Sequence, residues 1–341
     1  MRTIRIGITI GDLNGIGPEV IIKTLSHPSV VELCTPVIYG SSKVISYHKN
    51  IVNPTDFSFN TTGSAEKIYP QRINVVNIWQ DNINIELGKE TQEAGKIAHI
   101  ALDQAVRDLK DGHIDALVTA PISKNAMKLA GFQYPGHTEY LAHSFDVKEG
   151  LMMMIAGNQR MALNTVHIPL RDVADVLSVD SLKNKLNTLI NSLKIDFGIS
   201  RPTVAVLGLN PHAGENGNIG KEDDEIIRPA ILECKKAGNV IMGPYPADGF
   251  FGSANYQKYD AVFAMYHDQG LIPFKLLHFN EGVNYTAGLP YVRTSPDHGT
   301  AFDIAGKNEA DPESFKAALF AALDIYKARR MHEKDTENPL R

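Results

Sequence analysis

The sequence of 341 residues carries 34 basic and 39 acidic side chains, a net charge of −5, with 43% hydrophobic and 21% charged residues. That balance gives no basic footprint for nucleic acid and no polybasic patch for a membrane surface. Two cysteines, Cys34 and Cys234, lack CxxC spacing, and the first strand-like segment follows neither a long apolar stretch nor a cleavage signal; the expectation is a cytoplasmic chain of about two domains of roughly 150 residues each.

Thr3 to Ile10 reads as a first strand, ending in the turn GDLNGIGPEV, where Pro18 and Glu19 suit the first turn of a helix. Such a turn can bring backbone N–H groups to a phosphate or carboxylate. Its spacing is not G-x-G-x-x-G, so as a dinucleotide fingerprint it fails, and a tight strand-to-helix loop is the plainer reading. Pro36 to Tyr39 predicts a strand. The polar region from Asn53 to Asn84 predicts an antiparallel excursion or a surface loop. Ala94, Ile97, Ala98, Ala101, Ala105 and Leu109 recur at helical spacing between Lys89 and Leu109. DALVTAP then gives a buried strand. In PGHTEYLAHSF, His137 and Thr138 fall at a helix start, with donors free for an anion or for capping.

Met152–Ile155 and Met161–Val166 predict a hairpin around Gly157 and Asn158, its methionines serving as core. Three apolar runs each end on a histidine: MALNTVH at His167, TVAVLGLNPH at His212 and YDAVFAMYH at His267. An apolar run that stops on a polar, glycine-bearing turn is a buried strand of an α/β sheet, and ligands gather beyond the carboxyl ends of such strands. Three imidazoles with an open position describe a catalytic divalent-metal site, zinc by ligand type, with Co, Mn or Mg as alternatives. VIMGPYPAD puts Asp248 at another strand end, shortly before the His267 turn, which carries Asp268. Lys275, Asn284, Arg293, His137 and Thr138 supply donors that would seat a phosphate, on loop-like backbone. A last helix is expected from Pro312 to Met331, then a frayed tail, DTENPLR. Strands alternating with helices predict a largely parallel α/β protein. Residues alone lead to a metal-dependent enzyme acting on a small phosphorylated acid.

The segments GDLNGIGPE, GHTEYLA, TVHIPLRDV, LNPHAGENG, YDAVFAMYHDQGLIPFK and GVNYTAGLPYVRTSPDHGTA resemble the 4-hydroxythreonine-4-phosphate dehydrogenases of vitamin B6 biosynthesis, in that family's order. The resemblance implies an isocitrate/isopropylmalate dehydrogenase-like fold of two α/β/α domains with an active-site cleft between them. The expected division is residues 1–135 plus 298–335 for one domain and 136–297 for the other, which carries the metal and the dimer interface. It also implies a homodimer with a shared active site, and a metal on His167, His212 and His267. Substrate contacts are implied at His137, Thr138, Lys275, Asn284 and Arg293. HGTAFDIAGK is similar to the adenosine-binding loop of isopropylmalate dehydrogenases, which implies NAD, or NADP, at Gly299, Thr300, Ala301 and Asp303.

The implied chemistry is hydride transfer from C3 of 4-phosphooxy-L-threonine, then decarboxylation to 3-amino-2-oxopropyl phosphate. Asp248 and Asp268 are the candidates for proton transfer or for orienting a metal-ligand histidine, and Lys275 is the candidate for protonating the enolate besides binding phosphate. Leu13, Asn14, Asn216 and Asn218 depart from the commonest family pattern, and the expectation is that they adjust substrate preference. The nearest alternative is a decarboxylating dehydrogenase of D-threonate or erythronate 4-phosphate; a more distant one is a metal-dependent hydrolase or phosphotransferase.

Overall fold

In the computed structural model, which describes residues 3–337 apart from 80 and 82, the apolar runs become twelve strands. They are β1 (Arg5–Thr9), β2 (Thr35–Gly40), β3 (Phe59–Thr62), β4 (Ile73–Asn77), β5 (Ala116–Thr119), β6 (Leu151–Ala156), β7 (Gln159–Leu163), β8 (Thr203–Leu207), β9 (Val240–Tyr245), β10 (Ala261–Ala264), β11 (Val283–Ala287) and β12 (Arg293–Pro296). The chain falls into two units, one of Met1–Lys148, Asn280–Val283 and Leu289–Tyr326, the other of Glu149–Phe279, Asn284–Gly288 and Lys327–Arg341.

The first unit orders its strands β3-β4-β2-β1-β5-β12, each neighbouring pair parallel. The order runs away from β1 in one direction through β2 and in the other through β5. The carboxyl ends of β1 and β5 therefore flank a topological switch point, where α/β sheets place ligands. Strands buried on both faces must be apolar throughout, and Ile6, Ile8, Val37, Ile38, Leu117 and Val118 are fully buried. The helix Gln92–Lys110 turns its alanine stripe inward, with Ala94, Ala98, Ala101 and Ala105 buried. Small residues let that helix approach its neighbour closely: a Cβ on Gly95 would lie 2.1 Å from the carbonyl oxygen of Ala126.

The second unit has the order β11-β6-β7-β10-β8-β9, entering β11 at Asn284. The hairpin β6–β7 is antiparallel, whereas β7, β10, β8 and β9 run parallel. Its core gathers Met154, Met161, Leu163, Leu207, Val262 and Phe274, so the methionine run is packing, as its sequence context predicts. A buried polar cluster closes one side. Tyr285 donates to Asp196 Oδ2, Arg329 Nε donates to Asp196 Oδ1 at 2.6 Å, and Arg329 Nη2 reaches the Tyr285 hydroxyl at 3.1 Å.

Several expectations are corrected. The Asn53–Asn84 region holds β3 and β4, and both pair parallel. The His267 turn is helical from its first residue, His267 to His278, so Lys275 lies on a helix. Asn284 and Arg293 lie on strands β11 and β12, where branched and aromatic neighbours favour extension. The last helix continues to Glu337, absorbing Asp335 to Glu337 of the expected tail, and residues 338–341 lie outside the described residues. The first unit runs to Lys148 and includes the helix His137–Ser144, held there by aromatic contacts. The Tyr140 ring packs at 5.4 Å against Phe132, tilted, and against Tyr134, edge to face, and its hydroxyl donates to Asp103 at 2.9 Å. No helix of the described residues is long and apolar enough to cross a membrane.

Candidate active site

Arg293 opens β12 beside β5, and its side chain is 2% exposed. Its Nε and Nη2 both donate to the hydroxyl of Thr119, at 3.1 and 2.6 Å, and Nη2 also donates to His137 Nδ1 at 3.1 Å. A guanidinium only gives protons, so His137 Nδ1 must accept, and the neutral ring then carries its proton on Nε2. Neutrality is enforced. Burial holds His137 well below the ordinary imidazole range, helped by the charges of Arg293 and Lys124. Burial pulls Arg293 down to about 10, while Glu139 acts in the opposite sense.

Two donors are left over. Arg293 Nη1 and His137 Nε2 are buried without a hydrogen-bond partner. Each such orphan costs about 1–3 kcal/mol, and a folded chain tolerates the pair where a ligand supplies the acceptor. Thr138 follows at the amino end of the helix His137–Ser144, where N–H groups and dipole add to an anion's attraction.

The glycine turn and the 299–303 loop meet in the same unit. Ile16 N–H donates to the carbonyl of Thr300 at 3.0 Å. A Cβ on Gly15 would lie 2.7 Å from that oxygen, so only glycine lets the two backbones approach. Ala301 has φ +41°, while nothing within 4 Å would meet a Cβ on Gly299; Asp303 is exposed. Asp12, at the β1 end, has one carboxylate oxygen on Asn14 N–H at 2.9 Å and the other buried without a partner. Burial, with Glu90 nearby, pushes its carboxyl up to about 6. A glycine cradle with a spare buried acceptor suits a hydroxyl-rich, phosphate-bearing cofactor, so these residues fit the expected nucleotide. Asn14 is corrected to a scaffold role. Its amide oxygen takes Glu86 N–H at 2.8 Å, and its two amide hydrogens go to Lys89 O and Thr91 Oγ1, so both of its donors are spent inside the scaffold.

In the second unit, β10 lies between β7 and β8, all parallel, and His267, His167 and His212 follow the carboxyl ends of those three strands. At about 4.8 Å between strands, they leave the sheet from one edge. Thr165 ties the first two ends together, its N–H and hydroxyl both on the Met265 carbonyl, at 3.2 and 2.9 Å. Gln269 ties the third, accepting from Met265 N–H at 2.7 Å and donating to the Gly208 carbonyl at 2.6 Å. Buried Asp223 takes the N–H groups of Leu209 and Asn210, at 2.9 and 3.1 Å. His212, Ala213 and Gly214 then run at φ +55°, +50° and +77°. Left-handed backbone costs roughly 1–2 kcal/mol for each non-glycine residue and gathers at functional sites.

The rings of His167 and His267 stand 6.3 Å apart, centroid to centroid. The Asp268 carboxylate lies 2.7 Å from His267 Nδ1, which leaves Nε2 to bind a metal, an arrangement common behind ligating histidines. This donor pair fits a divalent ion. Among the described residues no three His, Cys, Asp or Glu side chains close on one point, and His212 is exposed on its loop. Asp248 is exposed in the first turn of the helix Ala247–Gly252. Lys275 sits two turns along the helix from His267, about 12 Å by the helical rise. Asn284 has a buried Oδ1 without a partner.

The expected substrate residues thus divide, with His137, Thr138 and Arg293 in one unit and Lys275 and Asn284 in the other. Sequence reading missed Thr119, Asp12, Gln269 and Asp223. Only the last three stand in segments with a visible signal: the glycine turn, MYHDQG and the charged run KEDDE at 221–225.

Residues 32–322 match the family model described as pyridoxal phosphate biosynthetic protein PdxA. A 4-hydroxythreonine-4-phosphate dehydrogenase of Bacteroides thetaiotaomicron is 48% identical over 339 residues, covering 99% of this chain and 93% of the relative. One from a Sulfurihydrogenibium species is 40% identical, covering 96% of this chain and 100% of its own. The crystal structure of the Klebsiella pneumoniae enzyme of that name superposes with a TM-score of 0.83 at 36% identity, covering 96% of this chain and 98% of that one.

Proposed function

We propose, from the premise that this chain belongs to the family of pyridoxal phosphate biosynthetic protein PdxA, that it is an oxidoreductase converting 4-phosphooxy-L-threonine to a 2-amino-3-oxo acid. That acid loses carbon dioxide to give 3-amino-2-oxopropyl phosphate. The observation that carries the reading is the buried Arg293–His137 pair with two unspent donors, in a chain whose relatives share this name over nearly their whole length.

Arg293 Nη1 and His137 Nε2–H take the phosphoryl oxygens, with Thr138 beside them. Lys275 and Asn284 complete the substrate contacts. His167, His212 and His267 would hold a divalent ion, zinc by ligand type or else Mg, Co or Mn, and the 299–303 loop with the glycine turn would hold NAD or NADP. Bound there, the ion supplies Lewis acidity at the C3 oxygen and the nicotinamide accepts hydride. Asp268 orients His267 through Nδ1. Asp248 is the candidate acceptor of the C3 hydroxyl proton, and Lys275 the donor of a proton to C2 after carbon dioxide departs.

A homodimer in the cytoplasm is part of the same proposal. On the helix His267–His278 and its cap, Ile272, Leu276 and Phe279 are 66%, 84% and 75% exposed at spacings of four and three. An apolar stripe of that kind is covered by a partner, here a second copy. The deciding experiment measures NADH formation from 4-phosphooxy-L-threonine beside D-threonate 4-phosphate, with and without a chelator. Turnover of the amino acid, lost on chelation, is expected; preference for the sugar acid would reassign the substrate.

A further inference from the structure

We propose that Lys124 is a further substrate-binding residue, whose ammonium closes over the phosphoryl group that Arg293 and His137 hold. This rests on the reading above that this pair takes the substrate's phosphate.

Lys124 follows Thr119 by five residues and opens the helix Lys124–Leu129. The residues on either side of it are pinned to one carboxylate. Ser123 Oγ donates to Glu90 Oε1 at 2.6 Å, and Asn125 Nδ2 donates to Glu90 Oε2 at 2.7 Å. Ser123 Oγ also accepts from Ala126 N–H at 3.0 Å, fixing the helix start. With its neighbours held on that side, the Lys124 stem runs towards Gly136, the residue just before His137. A Cβ placed on Gly136 would stand 3.7 Å from Lys124 Cε and 3.4 Å from Glu139 Oε2. Gly136 is extended, at φ −175°, a conformation open to any residue. What glycine provides there is room, since a side chain longer than a methyl would push against the lysine.

The chemistry of the cluster calls for a third donor. Arg293 Nη1 and His137 Nε2–H are two buried groups with nothing to bind, and a phosphate monoester presents three terminal oxygens. Arg293 and His137 are fixed by Thr119 and by each other. Lys124 is exposed and carries a long rotatable stem. A fixed pair with an ammonium on a long rotatable stem nearby can admit a dianion and then retain it. The lysine acts as a point charge, so its contribution falls with ionic strength more steeply than that of buried Arg293.

The test compares Lys124→Met and Lys124→Arg with wild type, using calorimetric binding of inorganic phosphate and kinetics with 4-phosphooxy-L-threonine. The expected result for Lys124→Met is a rise of about tenfold in both the phosphate dissociation constant and KM, with kcat within twofold. The arginine variant keeps near wild-type values, and the gap between methionine and wild type narrows in 0.5 M salt, a screening length of roughly 4 Å. Unchanged phosphate affinity and KM in Lys124→Met would overturn the proposal. Wild type that forms no NADH, with phosphate affinity still falling in Lys124→Met, would overturn the proposed reaction and leave Lys124 standing.

Discussion

Arg293 Nη2 donates to His137 Nδ1 across 3.1 Å, and this contact decides what the imidazole can do. It spends the ring's acceptor, leaves Nε2–H as a donor, and opposes a second proton because that proton would sit against a guanidinium. The Hε1 resonance of His137 is therefore expected to stay constant between pH 6 and 8. A titration midpoint near the ordinary value of about 6.5 would contradict the assignment.

Arg293 itself is a functional residue kept at structural cost. Arg293→Met removes a buried charge that has no carboxylate within hydrogen-bonding distance, so its Tm is expected to equal or exceed that of wild type. Its KM for 4-phosphooxy-L-threonine should rise on the order of 100-fold, with much less effect on unphosphorylated 4-hydroxy-L-threonine. Thr119→Val, which frees the fork of Arg293, should raise the same KM about fivefold, and Thr119→Ser should restore it. Equal effects on both substrates would remove Arg293 from the phosphate site.

At the histidine edge, His212→Ala is expected to lose the bound metal and activity while the metal-free protein keeps its Tm, because His212 lies exposed beyond the core. Asp268→Asn should weaken metal affinity by about 10- to 100-fold, by releasing His267 Nδ1. Competition with a chromophoric chelator reads both. Full activity in metal-free buffer would dismiss the metal site.

Asp12 offers a pH-dependent test. Its carboxyl is pushed from 3.8 to about 6, so the fold favours the protonated form. The penalty for ionising it is absent below about pH 4, grows between the two values and is complete above about pH 6. Asp12→Asn should therefore be more stable than wild type by about 1–3 kcal/mol at pH 8, with little difference near pH 4. It should also bind NAD more weakly if the spare oxygen faces the cofactor. Parallel stability curves for the two proteins would refute the shifted carboxyl.

Arg329→Met should cost about 3–5 kcal/mol, since it strands Asp196 as a buried unpaired charge beside Tyr285. Urea unfolding gives the value, and a loss below 1 kcal/mol would show that water reaches the cluster.

The sequence alone determined the α/β class, the parallel strands, the methionine-lined hairpin and the three strand-end histidines. These follow from periodicity and from abrupt changes between apolar runs and polar turns, which are local properties of the chain. It also supplied the motifs that carry the family. The tertiary structure decided what local pattern cannot encode. Thr119 belongs to an ordinary buried strand until β12 places Arg293 against its hydroxyl. Asn14 reads as a loop residue that departs from the family pattern, whereas in the fold its amide is held by the backbone of Glu86 and Lys89 and by the hydroxyl of Thr91. The His267 turn reads as loop because glycine and proline dominate it, yet it is a helix; Gly270 is buried, and a Cβ there would lie 2.7 Å from Leu163, so packing outweighs propensity. Which donors end up buried and unspent depends on partners more than a hundred residues away, and only the folded chain brings them together.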